Sequence, residues 1–173
     1  MRNKLIHEGG AFINFRDYTF LDARSPAFRW VDVKRLRLPA EPAGDAELLA
    51  ALIGHEQFRD DYAGGGVMPD GLRHGPYWVG AVTPDAYRPV GRERSGRILW
   101  QWANQFEDVP VDLATDLRRE VFDPLAAAGR VYHLRELGGA AIHDWGGVHG
   151  AFHEFVLIDR PAGQIRLLVA ADD

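Results

Sequence analysis

The last forty residues constrain the fold of this chain most strongly. Residues 152–158 and 165–171 are rich in the aliphatic, β-branched and aromatic side chains that favour strands. The residues between them, 159–164, include a proline and a glycine, which are typical of tight connections. The two segments are therefore predicted to form a C-terminal β-hairpin.

The register of this hairpin decides which side chains share a face. If Ile158 pairs with Ile165, antiparallel counting brings Asp172 diagonally near His153. Glu154 then points to the opposite face, because successive side chains of a strand alternate. A slip of one residue would reverse all of these assignments.

Two helices are predicted between this hairpin and the N-terminal strands. Asp45 suits the N-cap of a helix over residues 46–62, where leucine and isoleucine recur on one face. A second apolar stripe predicts a helix over residues 111–127. Pro124 lies inside that stripe, so a kink or break is expected near Phe122.

The remaining pattern predicts short strands and defines the fold class. Strand composition is found over residues 12–15, 18–21, 28–33, 77–83 and 131–137. Residues 98–102 fit a strand or a helix, and we favour a strand. Strands at both ends of the chain with helices between them predict an α+β fold, with a mainly antiparallel sheet and two principal helices. At 173 residues, the length is that of a single compact domain, residues 1–173.

Composition argues against several classes of function. The chain has no cysteine, which excludes disulfides, thiolate nucleophiles and cysteine-ligated zinc. Its formal net charge of −5 argues against a nucleic-acid partner, because phosphate neutralisation requires a basic face. Neither serine, Ser25 or Ser95, has the context of a nucleophile elbow, and no glycine-rich nucleotide motif is present. We therefore expect no organic cofactor.

The same pattern indicates the compartment. The longest apolar run, residues 48–53, is far shorter than the roughly 20 residues that cross a bilayer. The N-terminus has no apolar stretch of signal-peptide length. The excess of arginine over lysine is typical of GC-rich bacterial genomes. We expect a bacterial cytoplasmic protein with no membrane partner.

The densest group of potential metal ligands lies near the C-terminus. Imidazole and carboxylate suit zinc or iron when thiolate is absent. The candidate ligands are His143, His149, His153 and Asp172, with His133, Asp144 and Glu154 nearby. Along an extended strand His149 and His153 would stand about 13 Å apart, too far to hold one ion unless a glycine bends the chain. The spacing therefore favours the alternative, in which these are ordinary strand histidines bonded to their neighbours.

Two other segments contain candidate ligand-binding residues. Guanidinium groups bind phosphate or carboxylate, and residues 88–97 carry four of them: Arg88, Arg92, Arg94 and Arg97. A run of this kind is also typical of a solvated loop. Trp78 and Trp145 lie among glycines and polar residues, as pocket-lining tryptophans do, although tryptophans of an α+β core have the same appearance.

Together these observations favour a small binding protein over an enzyme. It would recognise a small-molecule ligand or a protein partner, in a protective or immunity-like role, through the glycine- and proline-rich stretch 64–97. The alternative is a metal-dependent hydrolase or oxygenase that holds zinc or iron between residues 143 and 153.

Overall fold

The structure, a computed structural model, describes residues 4–144 and 146–173. Its strands there are β1 (Ile6–Asn14), β2 (Arg29–Arg37), β3 (Arg73–His74), β4 (Tyr77–Trp78), β5 (Tyr87–Pro89), β6 (Arg130–Leu134), β7 (Phe152–Asp159) and β8 (Gln164–Asp172). The helices are α1 (Asp45–Ile53), α2 (Arg92–Ala103), α3 (Val111–Leu117) and α4 (Asp123–Ala127). Six strands form an antiparallel sheet in the order β1-β2-β8-β7-β6-β5, and β3 pairs with β4. The predicted α+β class is confirmed.

The two faces of the six-stranded sheet carry different covers. Helices α2, α3 and α4 pack on the helical face, which includes Val33 and Leu168. Helix α1 and the long connection 54–86 pack on the loop face, which includes Leu36 and Leu167. Leu167 and Leu168 are neighbours in β8, so the alternation of the strand sends one to each layer. No helix of the described residues is long and apolar enough to cross a bilayer.

The C-terminal hairpin is confirmed, and of the pairings left open by the sequence the structure has the one that joins Ile158 to Ile165. Ile158 pairs with Ile165, and His153 pairs with Ala170. Glu154 is buried on the loop face, whereas His153 packs against Trp102 of α2 on the helical face. The local turn and strand chemistry was sufficient to predict this element.

The predicted helix over residues 111–127 is confirmed, including its irregularity. A π-helical turn, Arg118–Phe122, separates α3 from α4, and the N–H of Asp123 bonds to the carbonyl of Arg118. Pro124 has no N–H to donate to the carbonyl of Glu120 four residues earlier. The helix therefore widens by one residue before it resumes.

The first predicted helix, residues 46–62, is wrong in length. Helix α1 ends at Ile53, and the ring of His55 accepts a hydrogen bond from the N–H of Gln57. This cap starts a separate 3₁₀ turn, which carries Phe58 into the core. Burial of one large aromatic side chain thus outweighs continuation of the helix.

The predicted capping role of Asp45 is also wrong, because Gly44 is the N-cap of α1. The carboxylate of Asp45 instead accepts hydrogen bonds from Tyr132, Arg160 and Arg130. Burial alone would raise the pKa of this carboxyl, but the three hydrogen bonds outweigh burial and lower it. Asp45 thereby joins α1 to β6 and to the turn of the C-terminal hairpin.

Residues 98–102 are helical rather than extended, and the arginine-rich segment 88–97 is not a loop. Strand β5 occupies its start and helix α2 most of the rest. Ser95, Leu99 and Trp102 are buried at a helical spacing of four and three residues. The prediction failed because an apolar run of five residues, read alone, does not show this period.

The shorter strands differ from prediction at their ends. The side chain of Asn14 accepts a hydrogen bond from the N–H of Arg16 and stops β1 in a 3₁₀ turn, so residues 18–21 are not a strand. The segment 77–83 is extended only in β4 and then turns. Side-chain caps of this kind compete with strand pairing.

A buried arginine fixes the position of α2. Arg29 of β2 donates to the carbonyls of Trp102 and Ala103 in the last turn of α2 and to the carbonyl of Ser25. Burial, only partly opposed by the charge of Asp172, lowers the pKa of Arg29 to about 10. The guanidinium therefore stays charged at neutral pH and complements the negative end of the helix dipole.

Candidate functional site

Three polar side chains are buried together on the loop face of the sheet. Glu154, His74 and Tyr87 are 1%, 0% and 3% exposed. Nε2 of His74 shares a hydrogen bond with the carboxyl group of Glu154, and the hydroxyl of Tyr87 donates to the same group. The other ring nitrogen of His74, Nδ1, donates to the carbonyl of Phe58 at 2.6 Å, and the two rings stack 3.5 Å apart. Each member of the group is thus held by at least one hydrogen bond.

A buried lysine forms the second half of this polar group. Nζ of Lys34 lies 2.9 Å from Asp32, 3.0 Å from Asp60 and 2.9 Å from the hydroxyl of Tyr62. Burial raises the pKa of Asp32, and the charge of Lys34 opposes that effect. Two carboxylates and one hydroxyl therefore share a single ammonium group that is almost completely shielded from solvent.

The two halves adjoin and form one network. Asp32 and Glu154 lie on either side of Val169, each opposite it on a neighbouring strand. The ring of Tyr62 lies edge-on to His74, with 6.1 Å between ring centroids. Burial raises the pKa of Tyr62 and of Tyr87 well above the ordinary value, so both hydroxyls remain protonated and can donate. We call these seven residues the buried network: Asp32, Lys34, Asp60, Tyr62, His74, Tyr87 and Glu154.

A cavity of about 360 Å³ lies at the surface beside the buried network. Its charged lining residues are Arg59, Asp61, Asp70 and Arg73. Its apolar lining comes from Met68, Leu72 and Trp78. Met68 and Leu72 are 58% and 64% exposed, so the cavity presents apolar surface that solvent reaches. We call it the Trp78 cavity.

The buried network positions the walls of the Trp78 cavity through adjacent residues. Arg59 and Asp61 flank Asp60, and Arg73 precedes His74. The N–H of Gly75 also bonds to the carbonyl of Asp60 at 2.8 Å, which ties the two wall segments together. Side chains in the network thus hold the irregular chain that carries the lining residues.

Arg73 is the lining residue with the most unusual environment. Its Nε is buried without a hydrogen-bond partner among the described residues. Its guanidinium carbon lies 5.7 Å from the ring centroid of Trp78, the residue opposite it in the β3–β4 hairpin. A buried donor without a partner costs about 1–3 kcal/mol. Arg59 differs, because its Nη1 donates to the carbonyl of Gly71.

The predicted ligand-binding residues fall in different places. Trp78 lines the cavity that bears its name, and Trp145 lies outside the described residues. The four arginines are exposed on β5 and α2, and none of them lines the cavity: Arg88, Arg92, Arg94 and Arg97. Arg92 donates to the carbonyls of Ala126 and Ala128 and so caps α4.

The predicted metal ligands are not brought together. His149 contacts Phe152 on the loop face, whereas His153 and Asp172 belong to the helical face, so the sheet lies between them. Both ring nitrogens of His149 are engaged, one with Asp173 and one with the carbonyl of Asp61.

The third predicted ligand histidine, His143, is also engaged in a hydrogen bond. Nε2 of His143 donates to the carbonyl of Gly75 at 2.6 Å. Within residues 4–144 and 146–173 no three histidine, aspartate or glutamate side chains are placed to hold a metal ion. A metal-dependent enzyme therefore stays a prediction without support from this geometry.

Comparisons of the chain with known protein families, with curated proteins and with solved structures found no significant match. The function of the candidate site is therefore argued from the chemistry of its residues alone.

Sequence reasoning did not identify the buried network or the charged lining of the cavity. One signal was available, because Glu154 is a lone carboxylate inside the apolar segment 152–158. A charge in a strand that is covered on both faces needs a partner. The sequence does not show which residue supplies it, since His74 is eighty positions away.

Proposed function

We propose that this chain is a binding protein for a small ligand that has both an anionic group and an apolar group, and that the Trp78 cavity is its site. The observation that carries the proposal is the guanidinium of Arg73, which lines the cavity beside the ring of Trp78 and forms no ion pair among the described residues. A carboxylate or phosphate oxygen is the acceptor that a guanidinium binds best, because its donors form a planar fork.

The size and lining of the cavity support a small molecule rather than a protein partner. Its volume of about 360 Å³ falls in the range of about 300–1,000 Å³ that is typical of ligand sites. Met68 and Leu72 are largely exposed, and covering apolar surface contributes about 25 cal/mol per Å². An apolar group of the ligand would lie against these side chains while its anionic group faces Arg73.

The buried network supports binding rather than catalysis. His74 and Glu154 have the chemistry of a proton-transfer pair, but both are buried and neither lines the cavity. Their role in the proposal is to hold the walls of a preformed site, which reduces the entropy cost of binding. We place this activity in the bacterial cytoplasm, as the sequence leads us to expect.

The test uses two anionic probes and their neutral counterpart. Calorimetric titrations with 3-phenylpropionate and with phenyl phosphate should show saturable binding, and 3-phenylpropionamide should bind more weakly. Arg73→Gln should weaken binding of the anions about tenfold, the loss of one charge-assisted hydrogen bond. Arg97→Gln is the matched control, since Arg97 is exposed on α2 and does not line the cavity.

Two results would overturn the proposal. One is the absence of saturable binding for both anions. The other is binding that Arg73→Gln and Arg97→Gln change equally, because the cavity would then not be the site.

A further inference from the structure

The charges that line the Trp78 cavity are of both signs. Arg59 and Arg73 are matched by Asp61 and Asp70. Among the ion pairs of the described residues, none joins two of these four side chains. The cavity is therefore lined by two positive and two negative groups that form no ion pair with one another.

A ligand with charge of one sign would complement only half of this lining. A monoanion is attracted by the two arginines and repelled by the two aspartates. A monocation meets the reverse situation. A molecule that carries an ammonium group beside a carboxylate can satisfy both sets, and specificity for it arises from attraction and repulsion together.

One acidic wall of the cavity is held in place by the fold. The carbonyl of Asp61 accepts a hydrogen bond from Nε2 of His149 at 2.9 Å, and His149 is itself buried. The neighbouring Asp60 is bound by Lys34. The side chain of Asp61 also accepts from the N–H of Ala63. These contacts fix the carboxylate of Asp61 on one wall, while Arg73 is fixed in the β3–β4 hairpin.

We infer that the ligand is a zwitterion of the α-amino-acid type with an apolar side chain. The inference rests on the proposed function, because it assigns a ligand class to the same cavity. The carboxylate faces Arg73 and Arg59, the ammonium group faces Asp61 and Asp70, and the apolar side chain covers Met68 and Leu72.

The experiment compares three probes that differ only in their charged groups. L-phenylalanine carries both charges, 3-phenylpropionate lacks the ammonium group, and 2-phenylethylamine lacks the carboxylate. Calorimetric titration of the full chain should show that L-phenylalanine binds about tenfold more tightly than either analogue, the effect of one added charge-assisted hydrogen bond.

Substitution of the two lining aspartates tests whether they cause the preference for L-phenylalanine. Asp61→Asn and Asp70→Asn should each reduce the advantage of L-phenylalanine over 3-phenylpropionate, while 3-phenylpropionate binds as well as before or better. Asp70 is exposed, so its substitution leaves the packing intact and is informative even where Asp61→Asn disturbs the loop. Asp108→Asn, an exposed position that does not line the cavity, is the matched control.

The outcomes separate this inference from the proposed function. If 3-phenylpropionate binds through Arg73 and L-phenylalanine binds no more tightly, the zwitterion is wrong and the anion site stands. If L-phenylalanine is favoured but Asp61→Asn and Asp70→Asn leave the ratio unchanged, the inference is also wrong. If L-phenylalanine, 3-phenylpropionate and phenyl phosphate all fail to bind saturably, both proposals fail.

Discussion

The two faces of the central sheet are stabilised by different kinds of contact. On the helical face, side chains such as Leu157 and Leu168 pack against the apolar stripes of three helices. On the loop face, Lys34 and Glu154 are buried beneath irregular chain and are compensated by specific partners. The first arrangement depends on volume and apolar area, and the second on the positions of individual polar atoms.

The difference arises because the helices and the irregular connection differ in how far they satisfy their own backbone hydrogen bonds. A helix satisfies most of its backbone hydrogen bonds internally and presents a continuous apolar stripe. The connection 54–86 has only short regular elements, so side chains of the sheet must fix its path. A hydrogen-bonded group tolerates fewer alternative positions than an apolar contact. Where a binding cavity needs fixed walls, the polar face is the one that provides them.

Removal of Glu154 should have the largest effect on stability. Glu154→Ala leaves the ring of His74 and the hydroxyl of Tyr87 buried without their acceptor. We expect the free energy of unfolding in urea to fall by about 3–5 kcal/mol. Glu136→Ala, at an exposed glutamate, should change it by less than about 0.5 kcal/mol. A loss below about 1 kcal/mol for Glu154→Ala would mean that the network does not stabilise the fold.

A cavity on the helical face should have a slightly smaller effect, independent of pH. Leu168 is 0% exposed, and Leu168→Ala should lower the free energy of unfolding by about 3 kcal/mol. The loss should be the same at pH 5 and pH 8, since only apolar contacts are removed. Leu21→Ala is the control, because Leu21 is fully exposed. A loss that varied strongly with pH would contradict the comparison of the two faces.

Removal of the buried ammonium group should be less costly but dependent on pH. Lys34→Met leaves Asp32 and Asp60 without their cation, and we expect a loss of about 2 kcal/mol at pH 7. Burial already raises the pKa of Asp32, and loss of Lys34 removes the charge that opposes burial. A folded-state pKa above the unfolded value of about 3.9 destabilises the fold at higher pH.

The difference between wild type and Lys34→Met should therefore shrink as the pH falls towards 4 and Asp32 becomes protonated. Urea unfolding of both proteins at several pH values measures it. A difference that stayed constant or grew on acidification would show that Asp32 is not the group left unpaired.

Substitution of the cavity arginine should have the smallest effect on stability. Arg73→Gln removes a buried donor that has no partner and a contact with the ring of Trp78, and these two effects oppose each other. We expect a change of less than about 0.5 kcal/mol in the free energy of unfolding. A loss above about 2 kcal/mol would assign Arg73 to the fold rather than to the ligand.

Elements that depend on neighbouring residues were predictable from the sequence. The C-terminal hairpin followed from a turn between two strand-like segments, whereas its register was only one of the possible pairings until the structure decided it. The helix over residues 111–127 and its irregular turn before Pro124 followed from spacing and from the missing N–H. Of the residues that line the Trp78 cavity, only Trp78 itself was identified in advance, from its local composition.

Elements whose formation depends on distant residues were decided by the tertiary structure. The end of α1 is set by burial of Phe58 against His74, sixteen residues later. Glu154 meets His74 and Tyr87 only after β5, β6 and β7 have paired. A sequence records which groups can donate, accept or carry charge, but burial determines which of them must find a partner. The hairpin can therefore be predicted from neighbouring residues, whereas the cavity and its charges form only when the connection 54–86 folds over the loop face of the sheet.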